Sequence, residues 1–150
     1  MGVNFISMER TKRQKITLIS IVVFVACVFV VFFGWQSYKT SLFVRLMKDD
    51  VAKINSTCPV MVDADTRLDS AIVLHGKTIE YCYTLIHVLK DSVGITNAKE
   101  NLESVILNGV ISSPSLAKYR ENNATMVYNY NDKEGASILK ICITPNEYKK

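Results

Sequence analysis

Four groups of side chains in this 150-residue chain have types and spacings that could do chemistry. The run Asp63-Ala-Asp65-Thr-Arg67-Leu-Asp69 sets three carboxylates within seven residues. A divalent-cation loop offers carboxylates in this way, but an EF-hand loop begun at Asp63 needs glycine at its sixth place and glutamate at its twelfth. Leu68 and Leu74 stand there. The run is read instead as a turn in which Asp63 accepts backbone amides and Arg67 pairs with an aspartate. Cys58, His75, Cys82 and His87 form the second group. They lack the C-x-x-C and H-x-x-x-H spacings of zinc sites. Cys82 with His75 or His87 is the one pairing that could act as nucleophile and base, and no glycine-rich or oxyanion motif accompanies it. The third group is an oxidised pair. Cys82 and Cys142 fall on the more polar faces of two expected strands, and neighbouring strands would bring them within bridging reach. The fourth is Tyr81, Tyr83, Tyr128 and Tyr130, which would line one sheet face. Packing against helices accounts for them, and a partner-binding face is the second reading, because tyrosine is enriched at interfaces. No catalytic residue, metal ligand or cofactor site is assigned.

These groups hang from one stretch, Ile16 to Tyr38, which holds no charged residue. At ~1.5 Å per residue its 23 positions cover roughly 34 Å, enough for a hydrocarbon core of ~30 Å. No polar face runs along it, so lipid is its expected environment. Arg10, Lys12, Arg13 and Lys15 precede it, offset by Glu9. Basic flanks resist translocation, which predicts a cytoplasmic tail over 1–15, a span over 16–38 and an extracytoplasmic part over 39–150. Trp35 and Tyr38 stand where amphipathic rings favour the membrane interface. A cleaved signal peptide, a lipoprotein box at Phe24-Val25-Ala26-Cys27 and myristoylation at Gly2 are weaker readings. Gly34-Trp35-Gln36 is poor for cleavage, Phe24 is a poor residue three before the cysteine, and position 6 is Ile rather than Ser or Thr. From Lys39 onward 14 basic and 13 acidic residues nearly cancel, so no basic stripe argues for nucleic acid.

The outer part reads as α+β. Trp35, Tyr38, Leu42, Phe43, Leu46, Met47, Val51 and Ile54 recur at helical steps, which predicts one helix from Ile16 to Asn55, ended by Pro59. Arg67–Leu74 and Thr78–Val88 alternate as a hairpin about Gly76, with Thr66, Leu68, Ser70, Ile72 and Leu74 set against Arg67, Asp69, Ala71 and Val73 in the first strand, and Met126–Asn131 with Ser137–Thr144 form a second about Gly135. Asn97–Gly109 and Ser115–Glu121 carry helical spacing, and Pro145 onward reads as a tail. An antiparallel sheet with helices on one face is the solution these elements favour.

The runs Asn55-x-x-Cys58-Pro59-x-x-Val62-Asp63-x-x-Thr66-Arg67-Leu68-Asp69-Ser70, Tyr81-x-Tyr83-Thr84-Leu85 and Tyr128-x-Tyr130-x-Asp132-x-x-Gly135 together resemble a set of uncharacterised bacterial envelope proteins. The resemblance covers Asn55–Thr144 and implies an extracytoplasmic domain made with a signal peptide or one N-terminal span. It implies no catalytic activity, and Cys58 stands where an apolar residue is expected.

The function expected from these features is a non-catalytic, single-pass accessory or interaction subunit of an envelope complex. It would sit in the cytoplasmic membrane with a periplasmic domain, in contact with membrane lipid and an envelope protein partner. A pilin-like or pseudopilin component and a small periplasmic hydrolase are the alternatives. A pseudopilin would carry a glutamate near the start of its apolar segment, whereas Glu9 precedes it here.

Overall fold

A computed structural model describes residues 3–88 and 95–149. The chain divides into two compact units, Met1–Ser41 and Leu42–Lys150. Helix α1 runs over Val3–Asn55. It begins inside the basic tail rather than at Ile16, because no glycine after Gly2 and no proline interrupts that stretch. In the first unit the apolar side chains from Leu18 to Phe33 are exposed. The helix is long and apolar enough to cross a membrane by length and composition.

The second unit holds β1 (Val60–Met61), β2 (Thr66–Leu74), β3 (Thr78–Leu85), α2 (Ile95–Ser112), a 3-10 turn (Pro114–Leu116), α3 (Ala117–Glu121), β4 (Thr125–Asp132), β5 (Ser137–Ile143) and α4 (Pro145–Tyr148). It is an α+β domain with a mostly antiparallel five-stranded sheet in the order β1-β2-β3-β4-β5. Both hairpins form, with Gly76 (φ +77°) and Gly135 (φ +87°) in the left-handed region their turns require. They join through a parallel pair, β3 with β4. Parallel neighbours need a crossover, and α2 and α3 lie in the chain between these two strands.

The core lies on one sheet face. Ile79, Met126 and Ile143 share a row across β3, β4 and β5 and pack with Phe43 and Met47 of α1, Val110 of α2, Tyr119 of α3 and Tyr148 of α4. The α1 stripe is narrower than its spacing suggests. Phe43 and Met47 are buried, whereas Leu42 and Leu46 are exposed. α4 replaces the expected tail. Thr144 accommodates Glu147, whose Oε2 accepts from the Thr144 amide and hydroxyl at 2.6 Å, and Pro145 takes the first helical turn.

Two β-bulges change which residues face the core. Leu68 opposes Tyr83 and Ser70 opposes Cys82, so Asp69 is an extra residue in β2. Alternation therefore inverts there. Thr66 and Leu68 lie in register with Leu85 and Tyr83, and beyond the bulge Ala71 and Val73 take the rows of Tyr81 and Ile79. The uninterrupted set Thr66, Leu68, Ser70, Ile72, Leu74 read from sequence is thus corrected: Ala71 is fully buried and Ile72 is exposed. On β5 Ile138 is the extra residue, between Leu139 opposite Tyr130 and Ser137 opposite Asn131.

Candidate functional site

The four tyrosines converge. Tyr81 registers with Tyr128 and Tyr83 with Tyr130 across the parallel pair, because two Y-x-Y repeats in phase put successive rings on one face. Their rings stack, with centroids 5.4 Å apart for Tyr81 and Tyr128, 6.4 Å for Tyr83 and Tyr128, and 5.0 Å for Tyr83 and Tyr130. Tyr81 and Tyr128 pack against the core. Four residues on from the Ile79 row, or ~13 Å at ~3.3 Å per residue, the ladder reaches a groove of about 320 Å3. Tyr83, Tyr128 and Tyr130 line it with Leu85, Ile138 and Leu139 of the sheet. Leu102 of α2 and the β1–β2 connection, through Val62 and Asp63, complete it. Both bulged strands contribute at this end, where the added twist opens the sheet.

The groove is apolar with one acidic corner. Asp63 Oδ1 accepts the amides of Asp65 at 2.9 Å and Thr66 at 2.7 Å. The bond from the Asp65 amide, with those from Thr66, holds the carboxyl below its ordinary range despite some desolvation, so it is ionised at neutral pH. Burial pushes the phenol of Tyr83 far above its usual range, with the neighbouring Tyr130 and Tyr128 adding to the shift. Burial raises Tyr130 as well, and the Asp63 charge raises it further. Neutral rings beside a fixed carboxylate are equipped to bind, and neither group is poised for proton transfer at neutral pH.

The carboxylate run is the turn its spacing suggested. Arg67 Nε meets Asp69 Oδ1 at 2.5 Å, and the Thr84 hydroxyl donates to Asp69 Oδ2 at 2.6 Å. No group of three or more possible metal ligands assembles among the described residues. The expected Cys82–Cys142 bridge is corrected by the strand order. β4 lies between β3 and β5; Cys82 registers with Asn129 and Cys142 with Val127. Two strand spacings amount to roughly 10 Å, beyond the ~7 Å limit for bridging Cα atoms, and both thiols are free. Burial raises both thiol pKa values, Cys82 in spite of a hydrogen bond to Ser70, which disfavours the nucleophilic thiolate. His75 lies at the hairpin turn and His87 beyond the opposite end of β3, so the Cys–His pairing is not assembled.

Two other depressions are set aside. One of about 440 Å3 lies on α1 against Cys27, Val28, Val31, Phe32 and Trp35, a single helix face whose apolar side chains suit lipid. Trp35 and Tyr38 are both exposed, and Lys39 Nζ sits 5.7 Å from the Trp35 ring. The other, of about 250 Å3, has Asp50, Lys118 and Tyr119 in its lining. Asp50 there accepts from Tyr119 at 2.9 Å and pairs with Lys118 at 2.5 Å, so its carboxylate is already partnered. Sequence reasoning found the tyrosine floor and missed the walls. Leu102 joins it through the crossover, Ile138 at the β5 bulge and Val62 through the β1–β2 connection, and no local pattern announces them.

The fold has relatives among solved structures. A Pseudomonas aeruginosa protein described as secreted superposes with a TM-score of 0.63 at 10% identity, over 73% of this chain and 96% of that one. The pilotin EpsS of the Vibrio vulnificus type 2 secretion system gives 0.62 at 10% identity, over 76% and 98%. The type II secretion pilotin AspS of Vibrio cholerae gives 0.58 at 11% identity, over 75% and 97%. At these identities the likeness is one of fold. No curated protein matches the chain in sequence. Residues 41–139 match the model of a domain of unknown function, DUF8479, which takes in the whole tyrosine ladder and groove, and the chain therefore belongs to the DUF8479 family.

Proposed function

We propose that this protein is a non-catalytic accessory subunit of a cell-envelope assembly, which holds a protein partner in the tyrosine-floored groove. The observation that carries the reading is the groove itself, an apolar recess of about 320 Å3 with three stacked aromatic rings in its lining. Rigid aromatic side chains in a recess are what interaction hot spots are made of. The fold shared with two type II secretion pilotins supports a role in an envelope assembly of that kind. The apolar stretch Ile16–Tyr38 anchors the chain in the cytoplasmic membrane with residues 1–15 inside and the DUF8479 domain outside. The basic cluster Arg10–Lys15 supports that orientation, as does the resemblance of Asn55–Thr144 to envelope proteins.

Photo-crosslinking in cells tests the reading. A photoreactive residue at Ile138, in the groove, is expected to capture one defined protein. The same residue at Ile72, exposed and in register with Glu80 away from the groove, is expected to capture none. Equal capture from both positions, or from neither, would sink the partner reading. The mass of the mature protein tests the anchor separately, since removal of the apolar segment would make it a signal sequence.

A further inference from the structure

The groove's charge narrows what it holds, and this inference rests on the reading of the groove as a partner site. Among the described residues, its lining carries a single charged side chain, Asp63, and no cation offsets it. The Asp65 and Thr66 amides fix that carboxylate in place. Asp65, two residues on, adds a second acid at the same turn, with Oδ1 3.9 Å from His87 Nε2. Apart from Thr66, the remaining walls are apolar or aromatic. A purely apolar occupant would strip water from Asp63 and return nothing to it, which is costly for a charge. An anionic occupant would add repulsion. A cation satisfies both surroundings: the carboxylate supplies opposite charge, and tyrosine rings attract cations. A guanidinium suits them best, because its plane can lie on an aromatic ring while its fork meets a carboxylate.

We propose that the groove receives a polypeptide segment of the partner that presents an arginine between apolar residues, with the guanidinium against Tyr130, the end ring of the stack, and paired to Asp63. The flanking apolar side chains fill the recess toward Leu102 and Leu139, and the arginine fixes their register. The carboxylate then acts as a selectivity device. It rejects acidic segments and makes apolar ones of the same shape bind less well.

The test uses the full chain in detergent micelles and three blocked, dansyl-labelled peptides. These are acetyl-Leu-Ala-Arg-Ala-Leu-amide and its counterparts with citrulline or glutamate in place of arginine. Anisotropy is read against empty micelles. The arginine peptide is expected to bind about fivefold or more tighter than the citrulline isostere, with the glutamate peptide weakest. Asp63→Asn keeps a side-chain oxygen for the Asp65 and Thr66 amides and so spares the turn. In this variant the arginine advantage is expected to shrink to within about twofold. Equal binding of the three peptides, no binding of any, or an arginine preference that survives Asp63→Asn overturns the proposal. If crosslinking from Ile138 still captures a partner in that event, the partner reading stands and only its chemistry is wrong.

Discussion

The side-chain amide of Asn55 pairs with the backbone of Ala71 in both directions. Its Nδ2 donates to the Ala71 carbonyl at 2.9 Å, and its Oδ1 accepts from the Ala71 amide at 2.7 Å. Asn55 closes α1, and Ala71 lies on β2 beyond Leu68 and Arg67, where the pairing with β1 stops. The amide thus does for this part of the strand edge what a further strand would do, and it blunts a free edge. Asn55→Ala leaves both Ala71 groups without their partner and is expected to cost about 2 kcal/mol. The check is a lowered urea midpoint at unchanged slope for the detergent-solubilised chain. An unmoved midpoint would mean that water replaces the amide without loss.

Met47 and Leu46 are neighbours with opposite fates. Met47 is fully buried and Leu46 is 49% exposed. Met47→Ala is expected to destabilise by about 3 kcal/mol and Leu46→Ala by less than about 0.5 kcal/mol. The reverse order in a denaturant titration would show that α1 is rotated relative to the sheet.

Tyr128 stacks on both Tyr81 and Tyr83. Removing one ring therefore changes what the next contributes. A double-mutant cycle of Tyr128→Leu and Tyr83→Leu is expected to give a coupling of about 1 kcal/mol. Strict additivity would make the rings independent packing units rather than one floor.

Both pH limbs follow from the same interior. Burial holds the phenols of Tyr81, Tyr83, Tyr119 and Tyr128 far above their usual 10.0. Above pH 10 the unfolded chain loses protons that the folded chain keeps. Their contribution is therefore full below that pH and declines as pH rises. Tyrosinate absorbance should appear together with loss of circular dichroism, not before it. At the acid end, burial tends to raise the Asp50 carboxyl, but its bonds to Lys118 and Tyr119 outweigh that and hold it below 3.8. Its stabilisation is present above that value and is lost as pH falls through the lower folded one. Asp50→Asn should flatten this limb. An unchanged acid midpoint would remove Asp50 from the account.

All four cysteines are free thiols in this fold. Alkylation of the denatured, unreduced protein followed by mass spectrometry should count four. A Cys82→Ser, Cys142→Ser double variant should melt like the parent without reductant. A native Cys82–Cys142 bridge would require a strand order other than β3-β4-β5.

The hairpins were legible because alternation and turn glycines are local signals. Gly76 and Gly135 sit where those signals put them. The join between the hairpins was not, because a parallel pair is specified by a crossover and leaves no mark in either strand. Its neglect produced the mistaken disulfide. The faces of β2 were misread beyond Asp69, since a bulge residue looks like any other in sequence. Helix α4 did announce itself. Thr144-Pro145-Asn146-Glu147 has the form of a capping box with proline at the first helical position, and only its brevity hid it. In the site, the floor was visible as paired Y-x-Y repeats, while Leu102 needed a helix carried back over the sheet.

The bulges at Asp69 and Ile138 make chain length, as well as side-chain identity, a determinant of what this surface offers. Deleting either residue would restore simple alternation and exchange the inward and outward sets of everything on the strand beyond it. A homologue could thus acquire a different binding chemistry by one codon lost, with every other residue unchanged. Position-by-position comparison within the family is therefore informative only after the bulged residues have been aligned as insertions.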